Sequence, residues 1–121
     1  MSDTSGPQDI KERTFEFAVE IVRLCRGLAE ANFVSRRIAQ QLLSSGTSIG
    51  ANVEEAQAGQ SQADFISKYS IALKEARETI YWLRLLAASG EPINGRCKAL
   101  CQEADEIARI IGAIIVNTKK R

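Results

Sequence analysis

Four glutamates in the middle of the chain have the residue type and spacing that come nearest to a catalytic or metal site. They are Glu54, Glu55, Glu75 and Glu78. Di-iron helical bundles combine inward-facing Glu residues with Glu-x-x-His pairs. This chain contains no histidine, so a di-iron site would lack its nitrogen ligands, and His-based acid–base catalysis and His-dependent triads are excluded. We interpret the glutamates as polar interface contacts or ion-pair partners, and we predict a non-enzyme without metal or other cofactor.

The thiols are the next candidates for chemistry. Cys97 and Cys101 are four residues apart, which differs from the Cys-x-x-Cys spacing of redox and zinc sites, and Cys25 is the only other cysteine. One chain cannot complete a four-ligand site from these residues. We therefore predict small, buried apolar side chains, and an odd number of cysteines without an export signal favours the reducing cytoplasm.

Gly46 and Gly50 could be mistaken for a phosphate-binding loop. Such a loop would require a strand-to-helix turn followed by Lys and Ser or Thr, and neither is present. The two glycines are instead one helical turn apart beside an apolar stripe, a small-xxx-small pattern that predicts close helix packing. For Tyr81 and Trp82, packing is likewise favoured over base stacking, because few basic residues surround them.

Turn signals divide the chain into four helices between the only two prolines, Pro7 and Pro92. The predicted helices lie near 9–30, 35–58, 62–89 and 95–118. Short connections between long helices favour antiparallel neighbours. The predicted fold is all-α, an antiparallel up-down-up-down four-helix bundle that forms one domain.

Local signals predict how these helices begin. Asn32 or Ser35 can cap the second helix, and Ser61 followed by Asp64 resembles a capping box at the start of the third. Residues 1–8 are polar, unlike a signal peptide, and we predict a disordered leader. No 18-residue apolar run that could span a membrane is present.

Two of the predicted helices are apolar on two sides, whereas a bundle helix needs only one apolar stripe. In the first helix we assign Phe15, Ala18, Val19, Val22 and Cys25 to the core. The nearly opposite stripe is predicted to form a subunit interface; its residues are Ile10, Phe17, Ile21, Leu24 and Leu28. The interface predicted on the third helix contains Ile71, Glu75, Glu78, Trp82 and Leu85. The alternative is a wider core stripe with scattered apolar surface residues.

The charge balance gives no general attraction to nucleic acid, because 16 Lys and Arg oppose 15 Asp and Glu for a net charge of +1. Concentrated positive charge is visible only in the tail Lys119-Lys120-Arg121. We interpret this tail as a solvated helix end that suits the helix dipole, with a nucleic-acid contact as the alternative.

Two segments resemble a known family. The run QLLSSGTSIGANVEEA at 41–56, and the segment that opens with Ala63-Asp64-Phe65-Ile66 and closes with Tyr81-Trp82-Leu83, resemble the four-helix-bundle proteins encoded in intervening sequences of bacterial 23S ribosomal RNA genes. The resemblance implies an antiparallel bundle that assembles as a homopentameric ring. The fold is also similar to the accessory variability determinant of diversity-generating retroelements, a pentameric barrel that engages a reverse transcriptase and nucleic acid. The family supplies no established catalytic residues.

These observations lead to two hypotheses about function. The first is a non-enzymatic, homo-oligomeric scaffold, with a pentameric ring implied by the resemblance. The second is an accessory protein that binds RNA, DNA or a nucleic-acid enzyme, using Lys119, Lys120 and Arg121.

Overall fold

Four long helices form the described part of the protein, as the turn signals predict. The computed structural model describes residues 7–59, 61–90 and 94–121. The helices are α1 (Pro7–Ala31), α2 (Phe33–Gln57), α3 (Gln62–Ala88) and α4 (Asn94–Lys119). The predicted bounds are confirmed to within two residues at every helix end. Of the predicted leader, residues 7 and 8 begin α1, where proline suits the first helical position, and residues 1–6 lie outside the described residues.

Side-chain caps begin the two middle helices. Asn32 is the only residue between α1 and α2, and its Oδ1 accepts a hydrogen bond from the backbone N–H of Ser35 at 2.8 Å. Of the two predicted caps for α2, Asn32 is therefore the one used. Ser61 caps α3, because its Oγ accepts from the backbone N–H of Asp64 at 3.1 Å. Each cap satisfies an N–H that the helix itself cannot pair.

Contacts between helices show that neighbours run in opposite directions. Along α2 and α3, Ser45 bonds Thr79, whereas further along α2, Glu55 pairs with the earlier residue Lys68. Consecutive helices pack against each other extensively, and α1 also contacts α4, but less so. Within the described residues no Cα atom of α1 lies within 8 Å of one in α3. The helices therefore form a square in chain order, with α1 and α3 on one diagonal.

Helices α1 and α2 approach each other closely at the two glycines singled out above. A Cβ on Gly50 would lie 3.2 Å from the backbone oxygen of Thr14, and a Cβ on Gly46 would lie 2.9 Å from Cγ2 of Ile21. Both glycines are buried. The missing side chains are thus what allows the two helices to lie this close.

The sequence-based assignment of the two α1 faces was wrong. The residues assigned to a subunit interface are all in the core, at 0–2% exposure: Ile10, Phe17, Ile21, Leu24 and Leu28. Of the residues assigned to the core, Cys25 is buried, but Phe15 is 59% exposed. The physical reason is the glycine pair on α2, which accepts the stripe containing Ile21 and leaves the stripe containing Phe15 outside.

Candidate interaction surfaces

The predicted interface residues of α3 lie on the outside of the bundle. Ile71, Glu78 and Leu85 are exposed, and Glu75 and Trp82 are half-buried. We call these five residues the α3 outer face. From Ile71 to Leu85 this face extends about 21 Å at the helical rise of about 1.5 Å per residue. The core side of the helix contains Tyr69, Ala72, Ala76 and Leu83, all fully buried.

Trp82 is held in position at the surface by its neighbours. Its Nε1–H donates to Oε2 of Glu78 at 3.2 Å, and its ring meets Tyr81 edge to face at a centroid distance of 5.2 Å. Because Glu78 satisfies the indole N–H, the rest of the ring can be offered as apolar surface.

A second apolar surface lies on α1. The α1 outer face consists of Lys11, Phe15, Val19, Val22 and Arg26, which share one side of the helix at about 100° per residue. Val19 and Val22 are half-buried, and the two cations flank the apolar residues. A groove of about 200 Å³ next to Phe15 is lined by Lys11, Glu12 and Glu54 as well. Since α1 and α3 are diagonal, the two outer faces lie on helices that are not neighbours, and they form two separate surfaces.

The glutamates and cysteines singled out above form no metal-binding group in the part of the chain that the structure describes. Glu55 forms an ion pair with Lys68 at 2.8 Å, and no group of three or more Cys, Asp or Glu side chains among the described residues is arranged to hold a metal ion. Cys25 and Cys97 are buried. Burial raises the pKa of Cys25 to about 11, which keeps this thiol protonated and unreactive near neutral pH.

The tail residues Lys119, Lys120 and Arg121 are exposed. Arg121 lines a groove of about 440 Å³ at this end of the bundle, together with Gln57, Gln62, Phe65 and Asn117. The tail therefore lies beside the start of α3 and the end of α2.

The opposite end of the bundle holds a concentration of positive charge that sequence analysis missed. There the end of α1, the start of α2, the end of α3 and the start of α4 come together. The exposed cations of this basic end are Arg26, Arg36, Arg37, Arg84, Arg96 and Lys98. Among the described residues 24–42, 81–90 and 95–101, the only carboxylate side chain is that of Glu30. The cations are dispersed along the sequence, and a charge count over antiparallel helix ends would have found them.

The fold and surfaces define a helical bundle with two apolar outer faces. Within the described residues, no helix is long and apolar enough to cross a membrane. The model of the 23S rRNA-intervening sequence protein family matches residues 7–113. The chain belongs to this family.

A solved structure of similar fold supports the assignment. It is a protein of unknown function from the S23 ribosomal protein family of Bacteroides thetaiotaomicron. The two are 44% identical, the TM-score is 0.80, and the match covers 88% of this chain and 97% of that one. A comparison with curated proteins finds no significant match.

Proposed function

We propose that the protein is a non-enzymatic scaffold that assembles with copies of itself. The α3 outer face of one copy would contact the α1 outer face of the next. The observation that carries this proposal is that one small bundle exposes apolar side chains on two separate faces, which lie on the diagonal helices α1 and α3. Exposed patches with aromatic and aliphatic side chains are typical of partner surfaces.

Two separate and chemically different faces favour a head-to-tail contact. A twofold dimer covers one patch with the same patch of its partner, so the other face would remain exposed. Head-to-tail contacts cover both, and they give a ring when the rotation between neighbours closes. The family resemblance implies five subunits, and we propose a pentameric ring.

Charge favours the same arrangement. Glu78 is midway along the α3 outer face, so an antiparallel α3–α3 contact centred on this face would bring two copies of its carboxylate together. The α1 outer face instead carries Lys11 one helical turn from Phe15, and Glu78 is one turn from Trp82, so Lys11 can pair with the Glu78 carboxylate when Trp82 lies beside Phe15. The groove beside Phe15 also offers space for a bulky side chain such as Trp82 of a neighbouring copy.

Light scattering on the size-exclusion eluate tests the proposal. The wild-type protein should have the mass of a closed oligomer, and Phe15→Glu and Trp82→Glu should each reduce it while the helical circular dichroism persists. Val116→Glu is the matched control, because Val116 is also an exposed apolar residue but lies on neither face. It should leave the mass unchanged.

Mixing the two interface variants distinguishes head-to-tail from twofold contacts. Each variant retains one intact face, so the mixture should form a dimer that contains one copy of each and grows no further. A twofold α3–α3 interface would instead leave Phe15→Glu with the wild-type mass. A wild-type monomer at micromolar concentrations would refute self-assembly altogether.

A further inference from the structure

We propose that the basic end of the bundle binds single-stranded nucleic acid through its phosphates. This inference goes beyond self-assembly and does not depend on it, because five of the six cations of the basic end lie outside both outer faces; the sixth, Arg26, belongs to the α1 outer face. It also differs from the tail hypothesis, since Lys119–Arg121 lie at the other end of the bundle.

Charge segregation is the first support. The chain as a whole has a net charge of +1, yet the basic end places six exposed cations near one carboxylate, that of Glu30, among the described residues. The rest of the bundle carries the compensating acids, including Asp9, Glu12 and Glu16 on α1. Such a separation creates a local positive potential that attracts a polyanion even when the net charge is small.

The type of cation points to phosphate. Five of the six residues are arginine, whose planar guanidinium can bind phosphate oxygens in a bidentate manner. A hydrogen bond within the bundle positions the Arg36 side chain, because its Nε donates to the backbone oxygen of Ala29 at 3.2 Å. This bond connects the start of α2 to the last turn of α1 and holds the guanidinium at the end of the bundle.

The shape of the surface favours a single strand. Phe33 is 68% exposed and lies three residues before Arg36, so an aromatic face is available for base stacking beside a phosphate-binding cation. Between α3 and α4, a groove of about 440 Å³ has Leu83 and Ala87 among its apolar lining and Arg84 and Lys98 among its polar lining. An unstacked base fits such a groove, whereas a flat anionic membrane would leave it empty.

Fluorescence anisotropy with labelled single-stranded RNA and DNA oligonucleotides tests the proposal on the full-length protein. The variant Arg37→Gln/Arg96→Gln/Lys98→Gln removes three charges from the basic end. Arg96 and Lys98 are in the first turns of α4, where loss of positive charge does not oppose the helix dipole. The matched control, Lys119→Gln/Lys120→Gln/Arg121→Gln, removes the same charge from the tail.

At low salt we expect the basic-end variant to bind at least about tenfold more weakly than wild type. The magnitude of the negative slope of log K against log salt should decrease by about 2. The tail control should stay within about twofold of wild type. Phe33→Ala should weaken binding but preserve the salt slope, because it removes stacking and no charge.

Three results would overturn the proposal: no wild-type binding at low salt, an equal loss in the tail control, or binding to anionic phospholipid vesicles without binding to the oligonucleotides. Solution masses measured on the same variants test the assembly proposal separately from nucleic-acid binding. A monomer that still binds through the basic end would refute self-assembly alone.

Discussion

Gly46 of α2 lies so close to Ile21 of α1 that a Cβ atom at position 46 would be 2.9 Å from Cγ2 of Ile21. Three atoms of the isoleucine side chain lie within 3.3 Å of that point. Ile21 is β-branched and fully buried, so it cannot rotate away at low cost. Glycine at position 46 therefore sets the spacing of the two helices and determines which α1 face is in the core.

Gly46→Ala should destabilise the protein. Alanine favours the helix by about 1 kcal/mol over glycine, but overpacking against Ile21 costs about 1–3 kcal/mol. We expect a net loss of about 1 kcal/mol in the free energy of unfolding, measured by urea denaturation followed by circular dichroism.

Gly27→Ala is the matched control for this substitution. Gly27 is also inside a helix, but apart from its chain neighbours and the surrounding helix backbone no atom lies within 4 Å of a Cβ at this position. Alanine should therefore stabilise the protein by up to about 1 kcal/mol. The changes in unfolding free energy should have opposite signs in the two variants. Stabilisation by both would show that α1 and α2 can move apart at position 46 without cost.

The contact between Gly46 and Ile21 also separates the features of the fold that the sequence predicts from those that it does not. Helix bounds and the caps at Asn32 and Ser61 follow from local chemistry, so the sequence predicts them well. The choice between two apolar stripes on α1 depends on what α2 presents, and the stripes are too similar for a helical wheel to rank. Gly46 and Gly50 carried the missing information, since a glycine pair accepts the bulky Ile21 stripe.

Of the candidate surfaces, too, the sequence predicts one and does not directly show the other. The outward position of Trp82 could be predicted, because the other side of α3 is more continuously apolar. The basic end is not visible as a run of charge in the sequence, because Arg37, Arg84 and Arg96 come from three helices; a charge count over the ends of the predicted antiparallel helices would have revealed it. Only the antiparallel arrangement brings them together.

Ser45 and Thr79 form a buried hydrogen bond between α2 and α3 at 2.9 Å, and Thr79 Oγ1 also lies 2.8 Å from the backbone oxygen of Glu75, the alternative acceptor for its single proton. Thr79→Val should cost about 1–3 kcal/mol in the free energy of unfolding, because it removes one partner and leaves the buried Ser45 hydroxyl without this bond. Thermal and urea unfolding measure the loss.

The double variant Ser45→Ala/Thr79→Val tests whether the loss comes from the bond. Replacing both partners leaves neither hydroxyl unsatisfied. The sum of the losses in unfolding free energy of the two single variants should therefore exceed the loss of the double variant. Additive losses would contradict a coupled pair.

Tyr69 should make stability sensitive to alkaline pH. Its ring is fully buried and stacks on Phe65 at 4.5 Å, and burial raises its pKa from 10.0 to about 12. Above pH 10 the phenol ionises in the unfolded chain while it stays protonated in the folded protein. Stability should therefore be unaffected by this group below pH 10 and fall as the pH rises from 10 to 12.

Tyr69→Phe provides the comparison, because phenylalanine keeps the ring and cannot ionise. It also loses the bond in which the Tyr69 hydroxyl accepts from Nε2 of Gln57 at 2.8 Å, so its stability at neutral pH should be lower. Between pH 10 and 12 its stability should decline less steeply than that of wild type. Parallel curves would show that Tyr69 does not titrate with unfolding.

Arg13 connects the least extensively packed pair of neighbouring helices, α1 and α4. Its Nε and Nη2 each donate to a carboxylate oxygen of Glu103 at 2.8 Å, and Nη2 also reaches Glu106 at 2.6 Å. Glu103 is 33% exposed, whereas Glu106 is 64% exposed. A bidentate, partly shielded pair contributes more than an exposed one, which solvent and salt screen.

Glu103→Gln should therefore reduce the free energy of unfolding by about 1 kcal/mol at neutral pH, and Glu106→Gln should reduce it less. Hydrogen bonding from Arg13 lowers the pKa of Glu106 from its usual 4.5, so the contribution of Glu106 is complete above that pH and is lost as the pH falls below it. Urea titrations of wild type and both variants at neutral and acidic pH, each at low and high salt, measure these effects. Equal losses for the two variants, or a larger loss for Glu106→Gln, would mean that the bidentate contact does not hold α1 and α4 together.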